Sequence, residues 1–250
     1  MKNVINYVLT PWDEKSLGYK TAEIQINEYS DYDSFEYNFK KTEKDLVNLG
    51  VEFIYIRISS SDLDLRSLIQ KVGFYFVESS LELYLNNVSK YKKKILPKLS
   101  YQIVEENDLE SIKNIASDSF NYGRFHEDKN IPLVKSQLRY YNWIDDLVKQ
   151  GAEIYIAKVG NIIVGFNIQK TNSANKTSTL ILAGCKIGSE IFGMSLWNEI
   201  IESNRARGIN KISALISSSN LGVFNIYLTF DFKVRSCYFG FHKKIRVKTT

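Results

Sequence analysis

Leu182-Ala183-Gly184-Cys185-Lys186-Ile187-Gly188-Ser189-Glu190-Ile191-Phe192-Gly193-Met194-Ser195 joins an apolar run ending at Cys185 to Gly193–Arg207, where Leu196, Trp197, Ile200 and Ile201 recur at helical spacing. A strand is therefore expected to pass through a turn into a helix. Ile209 to Ile216 reads as a further strand, Asn220 to Thr229 as a short helix, and Phe232 to Lys244 as a final strand or hairpin. That order of elements belongs to an α/β arrangement. Backbone N–H groups point outward at a helix start and the local dipole favours an anion, so Glu190 to Ser195 is a natural pyrophosphate cradle that Gly193 lets a phosphate approach. An ordinary strand-to-helix turn is the alternative reading of the same residues.

Upstream, Glu153–Val159 and Ile162–Lys170 flank Gly160-Asn161, a two-residue turn suited to a hairpin, and Thr177–Cys185 is expected as a third antiparallel neighbour. Tyr101 to Glu106 reads as a strand, with Asn107 or Asp108 as N-cap of a helix carrying Leu109, Ile112, Ile115 and Ala116. Pro132 opens a long helix on which Val134, Leu138, Tyr141, Ile144 and Val148 step along one apolar face. Earlier still, Ala22–Glu28, Val51–Ile58 and residues 74–85 read as strands, and Ser34–Leu49 and Leu63–Val72 as helices ended by Gly50 and Gly73. Asn86 to Pro97, with Ser89-Lys90-Tyr91-Lys92-Lys93-Lys94, breaks the apolar pattern and is expected as a solvated linker. The chain thus divides into a small α/β domain, 1–97 with its linker at 86–97, and a second domain, 98–250.

With 44% hydrophobic residues in 250, a substantial core is available. Lys plus Arg number 33 and Asp plus Glu 28, a net charge of +5 that falls short of a nucleic-acid binder and leaves room for anionic small ligands. Cys185 and Cys237 lie in apolar, strand-like contexts without metal-ligand spacing and read as free thiols of a reducing compartment. No run approaches the ~20 apolar residues of a membrane span, and Met1-Lys2-Asn3-Val4 lacks the apolar core of an export signal. A cytoplasmic protein with no membrane, nucleic-acid or metal partner is expected.

Glu190-Ile191-Phe192-Gly193-Met194-Ser195 resembles the Q/R-x-x-G-x-G/A loop of the GNAT superfamily of acyl-CoA-dependent N-acyltransferases, with Glu190 for Gln or Arg and Ser195 for the last small residue. Asn220, Val223, Tyr227, Asp231 and Phe232 are similar to that family's N-x-x-A-x-x-x-Y-x-x-x-G-F, with Val223 for Ala and Asp231 for Gly. The resemblance implies a GNAT fold, a mixed and mostly antiparallel central sheet flanked by helices, here preceded by the small α/β domain. It also implies acetyl-CoA, or another acyl-CoA, as co-substrate. Gly184, Cys185, Lys186, Ile191, Phe192, Gly193, Met194, Ser195 and Asn220 would line its site, with the strand ending at Cys185 separating from Lys211–Ile216. Tyr227, beside the sulfur, would protonate the departing thiolate as general acid. A core tyrosine is the alternative for Tyr227, and an inert buried thiol the reading of Cys185. A carboxylate facing pyrophosphate repels it, so Glu190 is expected to turn to solvent or to weaken the loop.

Ser119-Phe120-Asn121-Tyr122-Gly123-Arg124-Phe125-His126-Glu127-Asp128-Lys129-Asn130-Ile131-Pro132, followed by Tyr140-Tyr141-Asn142-Trp143-Ile144, is similar to a loop of the TDP-fucosamine acetyltransferase group, as is Pro11-Trp12-Asp13-Glu14-Lys15-Ser16-Leu17-Gly18 to that group's opening. This implies a nucleotide-linked amino sugar as amine acceptor, with Arg124 and His126 on the acceptor side. Alternatively His126 is a surface or cap residue and Arg124 pairs with Asp128. Acylation of an amino acid, peptide or polyamine, and a noncatalytic acyl-CoA-sensing module, are the competing functions. The chain is expected as a monomer or homodimer. A final strand carrying Tyr238, Phe239 and Phe241 would serve either as core or as a pairing edge between subunits.

Overall fold

Period-2 and period-3.6 apolar patterns alternate along the chain, and the computed structural model, which describes residues 4–29 and 31–245, turns them into strands and helices. Met1–Asn3, read above for an export signal, lie outside the described residues. The elements begin β1 (Val4–Leu9), α1 (Pro11–Leu17), β2 (Thr21–Glu28), α2 (Tyr32–Asn48), β3 (Phe53–Ser59), α3 (Leu63–Lys71) and β4 (Tyr75–Asn86). They continue with β5 (Ser100–Ile103), α4 (Leu109–Ser119), α5 (Leu133–Lys149), β6 (Glu153–Val159), β7 (Ile162–Asn172) and β8 (Thr177–Cys185). Last come α6 (Gly193–Ala206), β9 (Lys211–Ser217), α7 (Leu221–Thr229) and β10 (Lys233–Lys244). This is the α/β class with a mixed sheet flanked by helices that the sequence implies.

Two compact units are formed, one from the chain up to Ser80 with Gly123–Ser136 and the segment from Cys237 onward, the other from Leu81–Tyr122 and Gln137–Ser236. The backbone passes from one to the other within β4, after Tyr122, within α5 and within β10. In the first unit β2 pairs with β1 antiparallel and with β3 parallel, and β3 pairs with β10 antiparallel from Phe53↔Lys244 to Ser59↔Tyr238. Tyr238, Phe239 and Phe241 thus belong to a strand that lies between β3 and β4 in the sheet order and pairs with Ser59, Ile58 and Ile56. Phe35, Phe39 and Leu46 of α2 and Leu65, Leu68 and Ile69 of α3 cover Ile24, Ile54 and Ile56 on one face. Leu17, Phe53, Tyr55, Phe125 and Ile131 form a smaller cluster in the same unit.

In the second unit the strand order is β9-β8-β7-β6-β5, antiparallel except for the parallel pair β8–β9. Leu196, Trp197 and Ile200 of α6 pack with Leu180, Ile212, Tyr227, Phe230 and Phe232, while α4 and α5 pack with Ile154, Ile156, Phe166 and Ile168. Covering both faces is what a parallel pair requires.

Three expectations change. The α5 face is rotated: Ile144 and Leu147 are buried with Ser136 and Asn142, whereas Val134, Leu138 and Val148 are exposed. Residues 86–97 are mostly exposed, as a solvated linker would be, but are also anchored: the Tyr91 hydroxyl donates to Asn198 and the Lys94 N–H donates to the same side-chain oxygen at 2.9 Å. Finally, β1 and α1 were not anticipated; Pro11 sits at the start of α1, where its missing N–H costs nothing.

Candidate functional site

In the second unit, β8 and β9 pair in parallel at Thr177↔Lys211, Ser178↔Ile212, Thr179↔Ser213 and Leu180↔Ala214, and then part. The separation coincides with a bulge. On β7, Ile168 faces Leu182 and Gln169 faces Leu180, so Ile181 is the extra residue. A bulge bends its strand and sharpens the local twist, which steers β8 away from β9. The backbone of Leu182–Cys185 keeps its pairing to β7, as far as Gly165↔Cys185, while its other edge has no pairing to β9 beyond Leu180↔Ala214. Beside this edge the ring of Phe120 packs so tightly on Gly184 that a Cβ there would lie 3.1 Å from it.

After β8 the chain makes a 3-10 turn, Glu190–Phe192, and enters α6 at Gly193. No side chain caps α6. The 3-10 turn meets part of that need, since the Gly193 N–H donates to the Glu190 carbonyl; a helix start without a side-chain cap is where the local dipole favours an anion. Gly193 is buried in ordinary helical conformation, and a Cβ there would lie 3.2 Å from Ile226 of α7. Close packing of α6 on α7 is thus one reason for glycine at this position. Glu190 is exposed, but its carboxylate folds back to accept from the Gly188 N–H at 3.0 Å. Its own N–H and that of Gly188 hold the carboxyl below its ordinary range. Lys186, Ile187 and Ile191 are exposed, Phe192 and Met194 half-buried and Ser195 buried.

The carboxamide oxygen of Asn220 caps α7, accepting from the Val223 N–H at 3.2 Å. Tyr227 is 2% exposed, with Trp197 edge-on at 5.5 Å and Phe232 at 4.8 Å. Burial pushes its phenol well above the ordinary range, with Trp197 acting weakly in the opposite direction. Asp231 has φ +61°, the left-handed conformation that explains glycine in the family pattern and that aspartate tolerates better than most residues. For Cys185, burial first and the Glu190 charge second push the thiol up to about 11, so it remains protonated.

Arg124 and His126 belong to the first unit, whereas the residues just described belong to the second. The Arg124 guanidinium lies 4.1 Å over the Tyr55 ring and 3.6 Å from Glu23, and its side chain is only 15% exposed. It does not pair with Asp128. That carboxylate instead receives the Tyr75 hydroxyl at 2.8 Å, the Asn130 N–H at 2.8 Å and His242 Nδ1 at 2.8 Å. Burial opposes the Asp128 charge, but these donors outweigh it and hold the carboxyl at about 2. Burial, only partly offset by Asp128, lowers His242, so a neutral imidazole donates from Nδ1. His126 is half-buried in a turn, its N–H donating to the Gly123 carbonyl at 2.9 Å. Sequence reasoning missed His242, and read Trp197 only as a helix-core residue and Phe120 only as part of a loop; the scarcity of histidine, two in the chain, was the available signal for the first. Among the described residues no group of three or more His, Cys, Asp and Glu side chains is placed to hold a metal.

No family model matches the sequence. The chain is 21% identical over 246 residues to the spore coat polysaccharide biosynthesis protein SpsD of Bacillus subtilis (strain 168), covering 97% of this chain and 84% of the relative. Among solved structures it is similar to a GCN5-related N-acetyltransferase from Sphaerobacter thermophilus, with a TM-score of 0.66 and 12% identity over 97% of this chain and 77% of that one. A GCN5-related N-acetyltransferase from Kribbella flavida gives 0.60 and 8% over 90% and 81%. A functionally unknown conserved protein from Staphylococcus epidermidis ATCC 12228 gives 0.65 and 14% over 94% and 89%. These likenesses are of fold, and the chain has the fold of the GCN5-related N-acetyltransferases.

Proposed function

We propose that the protein is an acyl-CoA-dependent N-acyltransferase that transfers acetyl to the primary amine of a small molecule, with a nucleotide-linked amino sugar as the acceptor class. The observation that carries the reading is the parting of β8 from β9 at the Ile181 bulge, directly upstream of a helix start that no side chain caps. A backbone edge with free amide groups suits the amide-bearing pantetheine arm, and an uncapped helix start suits the pyrophosphate of coenzyme A. For the acceptor, support comes from the Arg124-Phe125-His126 loop and from the distant relative's role in polysaccharide biosynthesis.

In this reading Gly184, Cys185 and Lys186 border the thioester, Ile191 to Ser195 the pyrophosphate, and Asn220 the pantetheine arm beside its own cap. The amine nitrogen attacks the thioester carbonyl, a C–N bond forms, the C–S bond breaks, and the amine proton leaves to water. N–H groups on the free edge of β8 stabilise the oxyanion. With its phenol raised above ~10 and a thiol near ~8.5, full proton transfer from Tyr227 is uphill, so Tyr227 acts as a neutral donor whose hydrogen bond strengthens as charge grows on sulfur. Among the described residues no helix is long and apolar enough to cross a membrane, and the free thiols Cys185 and Cys237 support a cytoplasmic location.

Calorimetry with acetyl-CoA, followed by product mass analysis over amino sugars, nucleotide amino sugars, amino acids and polyamines, tests the proposal. Binding with an acetylated amino sugar is the expected result. Glu190 folded onto the turn favours a second reading, a noncatalytic acyl-CoA sensor, and binding without turnover across the panel would establish it.

A further inference from the structure

Where β8 has left β9, both of its faces are closed at close range. Side chains alternate along the strand, so Leu182 and Gly184 look to the face covered by α4 and α5, and Ala183 and Cys185 to the face covered by α6. On the α6 face, Gly165, the β7 partner of Cys185, has no room for a side chain: a Cβ there would lie 3.1 Å from Leu196 and 2.8 Å from the Gly184 carbonyl oxygen. On the other face, a Cβ at Gly184 would lie 3.1 and 3.2 Å from two ring atoms of Phe120. Carbon atoms at rest stand ~3.5–4.0 Å apart, so neither glycine can gain a carbon without moving its neighbour.

The two walls differ in kind. Leu196 is fully buried in the core beneath α6. Phe120 follows the last residue of α4 and is half-buried, as is Gly184, so the contact between them lies at a rim that solvent reaches. The Phe120 ring is nevertheless held in place. Phe166 stands 5.8 Å and Tyr140 5.1 Å from it between ring centres, and the Tyr140 hydroxyl donates to the Tyr122 carbonyl at 2.8 Å, tying α5 to the chain two residues beyond Phe120.

We infer that Phe120 sets the length of the acyl group, admitting acetyl and excluding longer chains. This rests on the N-acyltransferase reading, in which the thioester lies along the unpaired edge at Gly184. With the carbonyl oxygen taken by that edge and the sulfur leading back to coenzyme A, an acyl tail turned to the α4–α5 face meets the Phe120 ring. One turned to the α6 face meets Leu196. Each methylene beyond the acetyl methyl has to displace one or the other, and Phe120, at the rim, is the wall whose removal opens space.

Calorimetry of the full chain with coenzyme A, acetyl-CoA and butyryl-CoA tests this without knowledge of the amine. Butyryl-CoA should bind at least about tenfold more weakly than acetyl-CoA, the lower end of the range for a methylene in a hydrophobic pocket. Phe120→Ala should remove most of that tenfold preference. Phe120→Leu, which keeps an apolar side chain between Phe166 and Tyr140, should shift it less in the same direction, and it carries the test if thermal melting shows that the alanine variant has lost its fold. Equal binding of the two thioesters by the original chain overturns the inference, as does a preference that survives undiminished in the folded variant. If coenzyme A itself does not bind, the N-acyltransferase reading falls and takes this inference with it; if coenzyme A binds and the preference is absent, only the role of Phe120 falls.

Discussion

β2–α2–β3 in the first unit and β8–α6–β9 in the second are the same construction with different endings. Each is a parallel pair joined through a helix, paired over three residues in one case and four in the other before the strands part. The helix starts differ. Asp31 caps α2 with its own carboxylate, whereas α6 begins uncapped after a 3-10 turn whose Glu190 reaches back to Gly188 instead. A gap between strands is therefore a property of the backbone, while capacity for an anion is decided by whether the chain has already satisfied the helix start.

The largest expected effect separates the two by chemistry. Tyr227→Phe removes a donor from the second construction alone, and turnover should fall about a hundredfold, in the range for one preorganised donor, with acetyl-CoA affinity within about twofold of the original. Steady-state kinetics beside calorimetry reads both quantities. An unchanged rate would reduce Tyr227 to a partner of Trp197 and Phe232 in the core, and the second construction would then resemble the first in carrying no acid or donor.

A change confined to the first unit comes next. His242 is buried neutral against Asp128. Its native pKa is depressed, so the unfolded chain takes up a proton near ~6.5 before the native one does, and stability is present above that pH and lost below it. Chemical denaturation from pH 7 downward should show stability falling by up to about 1.4 kcal/mol per pH unit below 6.5, until native His242 itself protonates. Asp128, held at about 2, adds a second loss as pH falls from ~4 towards 2. His242→Gln should flatten the upper slope and spare coenzyme A affinity; an unaltered slope would assign the proton to another group.

Much of this was legible in the sequence where the period was clear. The strand-to-helix passage at Cys185–Gly193, the short helix expected from Asn220 and the stop at Gly50, with φ +77°, are local, each determined by a few adjacent residues. What was not legible depends on partners far along the chain. His242 acquires its meaning from Asp128, and the Tyr91-to-Lys94 segment from Asn198, which no periodicity can announce. The α5 stripe misled because Val134, Leu138 and Val148 obey helical spacing while exposed, and spacing does not say which face is covered. The bulge at Ile181 was equally silent, since a bulge is a relation between two strands.

The smallest effect bears most directly on the comparison. If the acidic side chain is what impairs the second cradle, Glu190→Gln should tighten coenzyme A about two- to fivefold, with the gain shrinking as salt rises, because it removes one exposed charge near a helix start. Asp31→Asn, which keeps a cap in the first construction, should leave coenzyme A affinity unaltered. The sign matters more than the size. Weaker binding by Glu190→Gln would mean that the carboxylate accepting from Gly188 organises the turn and shapes the cradle, so that Glu190 supports through geometry the ligand that it opposes through charge.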